Sequence, residues 1–398
     1  MKLELGLIHI TDVQFGPESK VEGSVVYLNE EEIRNLVLED ETIKHGPVEV
    51  LVTYDEETGM TGAENLKPGV LKGDILINLD SEEEGELCVG CAGGLDATAD
   101  FKYRTYKTPE EGYVGYELTV KGLQGGHSGM DISLYRANAN KVVARILLPL
   151  LEQYGVKVAD FTGGSLRNAI PFEASAKILV PSDKSRKVKA VVEGVFAEVK
   201  AEFKESDPSA VMFYEKASKP FDCYIQDSVM LRAVKAMLAC PSGVERMSQT
   251  MEGLTETSIN MAIVRTSKGH LIVHSLLRSA VDSAKAALAD KVRCVFELAG
   301  AAISFAGGYS GWTPKLDTPM NKVMMEQFEK VYGRKMKIMA THGGLECAIM
   351  GAKYPHWEMV SVGPTIVHPH SPDERVKIDT VGRTWEYLKA VLENVPVK

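Results

Sequence analysis

Apolar and polar positions alternate with a two-residue period at the start of the chain, in LELGLIHI and again in GSVVYL, and this spacing predicts two short strands. The spacing then turns helical in EEEIRNLVLED, where Asn29 is suited to the N-cap and acids fill the first turn, the end that the helix dipole makes favourable for them. Gly46-Pro47 closes that connection. The run VEVLVTY is apolar and β-branched, as expected of a strand covered on both faces of a parallel sheet, and it stops on Asp55-Glu56-Glu57. GDILINLD has the same form and stops on Asp80. Two buried strands are thus expected to deliver carboxylates at their C-terminal ends, where open α/β sheets place ligands.

From about residue 100 to 312 the pattern changes to longer amphipathic strands and helices such as GYELTVKGL, KVKAVVEGVFAEVKAEF and SAKAALADKVRCVFELAG. The order strand, helix, strand, helix, strand occurs around residues 112–203 and again around 243–308, which suggests a doubled βαββαβ-like unit. After Trp312-Thr313-Pro314 the first pattern returns with the helix NKVMMEQFEKVYG and the strand HWEMVSVGP. A chain of 398 residues exceeds a single ordinary core. The expected organisation is a discontinuous α/β domain, residues 1–99 plus 313–398, with a central mixed, mostly parallel sheet, and an inserted α+β lid over residues 100–312.

Composition narrows the function. With 44% hydrophobic and 25% charged residues the chain reads as globular, and no apolar run approaches the ~20 residues that span a bilayer. Its first residues lack the basic start and apolar core of a signal peptide, so a cytoplasmic protein without membrane partners is expected. A net charge of −10 opposes binding to nucleic acid. Cys88 and Cys91 are the one close cysteine pair and read as buried reduced thiols.

Several positions are equipped for chemistry. Adjacent carboxylates at Asp55, Glu56 and Glu57 repel one another unless a cation or proton is shared, although a solvated acidic loop has the same appearance. Asp80 sits at a strand end, whereas Glu82, Glu83 and Glu84 after it are expected to face water. In GPTIVHPHSPDE the prolines hold His370 in one orientation, as a preorganised ligand must be. The lid offers His127 in QGGHSGMD, Arg167 and Asn168 in GGSLRNAIP, and His274 and Arg278 in VHSLLRSAVDS.

Taken together these segments resemble the aminoacyl-histidine dipeptidases of the di-zinc aminoacylase and carboxypeptidase clan. Strings similar to that family, DEETGMTGA, ILINLDSEEEGE, GCAGG, KGLQGGHSG, NANK, GGSLRNAIP, ETSINMA, THGGLECA and GPTIVHPHSPDE, stand in the family's order across residues 38 to 398. The resemblance implies a zinc-exopeptidase-like fold and hydrolysis of small dipeptides, Xaa-His among them, by metal-activated water. It implies Glu56 as general base, Glu57, Asp80 and His370 as metal ligands, His127 as oxyanion stabiliser, and Asn168 and Arg278 as substrate-binding residues. Zinc is the implied metal, and manganese or cobalt is accepted by the same ligand types.

The family pattern also has a His-x-Asp strand motif and a bridging Asp before the Glu pair, and this sequence shows neither. EGSVVYLNEEE stands where the bridging Asp is expected, and His9 and Asp12 in HITD are spaced one residue too far, on opposite faces of a strand. The first 37 residues therefore read as unrelated or heavily diverged sequence joined to a family chain. The implied centre is an incomplete dinuclear site that binds one metal well, with weak or absent turnover. Recruited substitute ligands in an active peptidase, a non-catalytic binding protein, and a structural protein that pairs lid strands in a homodimer are the competing readings.

Overall fold

The computed structural model describes residues 20–22, 25–27, 43–219, 221–369 and 373–396, with only the backbone of 20–22, 25–27, Glu57 and Thr58. The stretches expected as the strand LELGLIHI and the helix EEEIRNLVLED, and the candidate ligand His370, lie outside the described residues.

The elements run in chain order as follows. Strands β1 (Lys20–Glu22) and β2 (Val25–Tyr27) pair antiparallel, and short helices α1 (Glu56–Gly59) and α2 (Thr61–Asn65) precede β3 (Ile75–Asn78) and β4 (Glu86–Cys91). Then come β5 (Gly93–Lys102), β6 (Thr105–Lys107), β7 (Tyr113–Lys121), β8 (Gly126–His127), α3 (Ala139–Gln153), β9 (Lys157–Gly163), β10 (Ala169–Ile170), β11 (Ala174–Pro181), α4 (Ser185–Glu202) and β12 (Val211–Lys216). They are followed by β13 (Cys223–Ile225), α5 (Asp227–Ala239), β14 (Gly243–Met247), β15 (Thr255–Ser267), β16 (His270–Ser279), α6 (Asp282–Leu298) and β17 (Ala302–Ala306). The last elements are α7 (Pro319–Tyr332), β18 (Lys337–Thr341), α8 (Glu346–Lys353), β19 (Glu358–Ser361), β20 (Ile366–Val367), β21 (Arg375–Val376) and α9 (Ile378–Glu393). Contacts divide the chain into two compact units, residues 1–91 with 310–398, and residues 92–309.

The first unit holds a four-stranded sheet in the order β18-β4-β19-β3, with β18 parallel to β4 and β19 parallel to β3. Its faces are covered separately. Leu87 and Val89 of β4 pack with Met324 and Phe328 of α7 and Tyr387 and Val391 of α9, while Cys88 packs with Cys347 and Ala348 of α8 and with Trp312. Burial pushes the thiols of Cys88 up to about 11 and of Cys91 up to about 12, so both stay protonated at neutral pH and are poor nucleophiles.

The strand expected over VEVLVTY is absent. Residues 47–53 form no regular element, and Val50, Val52 and Tyr54 are 44%, 41% and 59% exposed. An apolar run becomes a strand only when another strand takes up its backbone groups, and among the described residues none lies beside it.

The second unit is one large sheet in the order β12-β7-β11-β9-β15-β16-β5-β17, with β14 added beside β15. Helices α3 to α6 cover one face and with it form the main core, Phe161, Leu147, Val192, Met237, Met261 and Phe296 among its residues. The path β7-α3-β9-β11-α4-β12 is repeated by β5-α5-β15-β16-α6-β17, and the two halves meet along a short antiparallel seam, Val264 opposite Gly163 and Arg265 opposite Thr162. The doubled βαββαβ unit is therefore real. The leading strand of the second half, β5, precedes the whole first half in sequence, which is why only the rest of that half is recognisable from residue 243 onward.

Candidate functional site

In the first unit the acids after VEVLVTY occupy a tight turn. Asp55 and Met60 flank α1 with φ of 61° and 51°, left-handed values that cost side-chain-bearing residues about 1–2 kcal/mol each. Glu56 is half-buried within this turn, and the side chain of Glu57 lies outside the described atoms. The Thr61 hydroxyl donates to the Asp55 carboxylate. The turn is narrow at its base, where Gly62 N–H donates to Tyr54 O at 3.0 Å. Asp80 is exposed two residues beyond β3, its N–H held at 2.8 Å by Asn78 Oδ1, which also accepts from Ser361 Oγ at 2.9 Å.

Carboxylate and imidazole donors such as Glu57, Asp80 and His370 are of the type zinc takes. The side chain of Glu57 and all of His370 lie outside the described residues, and among the described residues no three His, Cys, Asp or Glu side chains form a group that could hold a metal ion.

In the second unit His127, Asn168 and Arg278 are placed by the sheet. His127 pairs across the short β8–β10 ladder with Ala169, and Ser128 N–H donates to Asn168 O at 2.7 Å. The His127 ring is oriented by its own turn. Nδ1 accepts the N–H groups of Gly129 and Met130 at 3.3 and 3.1 Å, so a neutral ring carries its proton on Nε2. Asn168 is exposed on the turn of GGSLRNAIP. The glycines there have a steric reason: a Cβ on Gly164, whose φ is +70°, would fall 1.8 Å from Ala262 O of β15.

Below that turn lies the sheet face turned away from the helices. Ser258 and Asn260 of β15 share this face with Arg278, Leu276 and His274 of β16 and with Asp96 of β5, while the intervening Ile259, Met261 and Leu277 enter the core. Asn260, 1% exposed, donates from Nδ2 to Ala169 O at 2.7 Å and to Arg167 O at 3.4 Å and so pins the backbone on both sides of Asn168. Arg167 pairs with Asp96.

Arg278 is 6% exposed, and among the described residues its side chain donates only to Tyr309 Oη, at 3.4 Å from Nη1. Its Nε is buried with no partner, and among the described residues it has no carboxylate within salt-bridge distance. A guanidinium buried without a counter-charge is unfavourable by several kcal/mol, and no side chain among the described residues supplies one.

His274, hydrogen-bonded through Nδ1 to Thr98 Oγ1 at 2.9 Å, is held below the usual imidazole range by burial and then by the nearby Arg167 and Arg265. A depressed histidine contributes stability that is complete above its unfolded pKa of ~6.5 and is lost as pH falls through the folded value, because the unfolded state then binds the extra proton. His274→Gln is therefore expected to flatten the decline of unfolding free energy below about pH 6.5 in urea titrations. An unchanged slope would remove His274 as its source.

Sequence reading singled out His127, Asn168 and Arg278 but gave no role to Asn260, inside ETSINMA, or to Glu346, inside THGGLECA. The available signal was a single polar residue in an apolar run, which is weak until burial is known.

The mostly parallel sheet of the first unit, with an acidic turn ahead of β3 in the chain, and the doubled α+β unit with a buried arginine are the parts expected of a two-unit, zinc-exopeptidase-like fold. Residues 36–394 match the profile of peptidase family M20/M25/M40, and the chain belongs to that family. It is 39% identical over 362 residues to the cytosol non-specific dipeptidase of Escherichia coli K12, covering 91% of this chain and 74% of that one. It is also similar to the crystal structure of aminoacylhistidine dipeptidase from Vibrio alginolyticus, with 41% identity, a TM-score of 0.87, and 96% and 79% of the two chains covered. Family members are typically zinc-dependent. Residues 1–59 match a different profile, glycine/sarcosine/betaine reductase component B subunits. Fifty residues are 50% identical to the sarcosine reductase complex component B subunit alpha of Peptoclostridium acidaminophilum, 13% of this chain and 12% of that subunit.

Proposed function

We propose that this chain is a metallodipeptidase of the cytosol that hydrolyses small dipeptides with a free C-terminal carboxylate. The observation that carries the reading is Arg278, a buried guanidinium that has no counter-charge among the described residues and lies on the sheet face under the turn that presents Asn168. A planar fork suits a carboxylate through paired hydrogen bonds, which fix direction as well as charge.

In this reading Glu56 takes the proton of the attacking water and later returns it to the leaving amine. His127 donates from Nε2 to the oxyanion that forms as the carbonyl is attacked, the tautomer its own turn selects, a contribution of about 3–4 kcal/mol when such donors are preorganised. Asn168 orients the substrate amide and Arg278 holds the carboxylate. A bound zinc ion would polarise the carbonyl and lower the pKa of water, and Glu57, Asp80 and His370 are the residues assigned to it. The segment EGSVVYLNEEE has no aspartate or histidine, and its similarity is to the reductase subunits, which supports one metal ion per chain in place of two.

The test is hydrolysis of a dipeptide panel, Xaa-His included, by pure protein with added zinc or manganese, alongside elemental analysis after dialysis. Turnover that chelator abolishes and that C-terminal amidation suppresses is the expected result. No turnover with any metal, or equal cleavage of amidated peptides, would overturn it, and two metal ions per chain would refute the single-ion assignment.

A further inference from the structure

Helix α8 holds the acidic turn at both of its ends. Its first residue, Glu346, is 7% exposed, and its Oε2 accepts the Thr53 hydroxyl at 2.7 Å, just before the turn. Its last residue, Lys353, donates to Ala63 O at 2.8 Å and Leu66 O at 2.9 Å, just after it. Between these two clasps the chain is pinched, since a side chain on Gly62 would come within 2.6 Å of Tyr54 N and 2.9 Å of Thr53 Cβ. The strained residues Asp55 and Met60 lie inside the pinch, and such backbone persists only where surrounding contacts over-determine it.

Glu346 is an unusual clasp. Its Oε1 is buried without a hydrogen-bond partner, and no cation among the described residues pairs with it. Burial pushes its carboxyl above the ordinary range, opposed by the bond from Thr53 and by the nearby backbone N–H of Ala63, which lies too far off line to satisfy Oε1 fully. A residue chosen for core packing at this place would be apolar, because an unsatisfied buried carboxyl disfavours folding.

We propose that Glu346 is a positioning residue, which through Thr53 fixes the strained turn that presents Glu56. This deepens the dipeptidase reading and rests on it for the role of Glu56.

The test uses the full chain with Thr53→Val, which keeps the shape of threonine and removes the donor, together with Glu346→Ala and Glu346→Gln. Thr53→Val and Glu346→Ala are expected to speed amide exchange of residues 55–61 and to lower kcat about tenfold or more, with KM within about twofold, as misplacement of a catalytic group does. Glu346→Gln keeps an acceptor for Thr53 and is expected to retain most of kcat. Unchanged exchange in Thr53→Val and Glu346→Ala would overturn the proposal, and so would faster exchange with unchanged kcat, since the clasp would then serve stability alone. If the parent protein cleaves no dipeptide, the functional reading fails, while the exchange rates still decide whether Glu346 holds the turn.

Discussion

Glu56→Gln is expected to lower kcat by about 10²–10⁴-fold while leaving the protein folded, the range associated with loss of a general base. Glutamine matches glutamate in volume, and Glu56 is half-buried in a turn whose shape depends on the backbone of Asp55, Met60 and Gly62, so the change removes basicity with little effect on packing. Proton transfer then falls to bulk water. The check is single-turnover hydrolysis of a dipeptide with circular dichroism and an unfolding curve on the same sample. A drop in kcat with KM nearly constant fits a group that acts on the transition state. Full activity in the variant would move the base elsewhere, and Asp55 would be the next residue to substitute.

The second large effect has opposite signs for activity and stability. Arg278→Met should reduce kcat/KM for unmodified dipeptides by roughly 10- to 100-fold, as expected for losing charge-assisted hydrogen bonds of about 1.5–3 kcal/mol. The same change should raise the midpoint of thermal unfolding. Arg278 is buried on the sheet face with Nε unpartnered, and a well-packed apolar replacement relieves a desolvated charge that no counter-ion among the described residues offsets. Activity against C-terminally amidated dipeptides, already low, should barely change. If Arg278→Met is instead destabilised and binds dipeptides as before, Arg278 is a structural residue and the carboxylate is held elsewhere.

Local patterns in this chain were readable, and long-range ones were not. GGSLRNAIP announces a tight turn because Gly164 must pass within contact of β15, a demand that shows as glycine in the sequence itself. Likewise GDILINLD ends in the expected strand, with Asp80 just past it. The VEVLVTY run carries every local mark of a strand and is not one, because strand formation depends on a neighbour and the run cannot reveal whether it has one. The doubled lid unit was visible by its element order but not by its sheet order, which requires β5 to join a half whose other members lie beyond β12. Glu346 and Asn260 were hidden for a different reason. Each is one polar residue among apolar neighbours, and only the buried bonds to Thr53, and to Ala169 and Arg167, separate a clasp from an ordinary surface position.

The split of the second half also sets an order of events during synthesis. Strand β5 leaves the ribosome with Ala97, Ala99 and Phe101 destined for the core, yet its ladder partners β16 and β17 are made only after the entire first half. The first half has its own four strands and two helices and can close early, whereas β5 must wait as an unpaired apolar strand. Such long sequence separation slows folding and leaves a sticky edge in the nascent chain. The interval between translation of β5 and of β16 is thus the stage at which the nascent second unit is most exposed to aggregation.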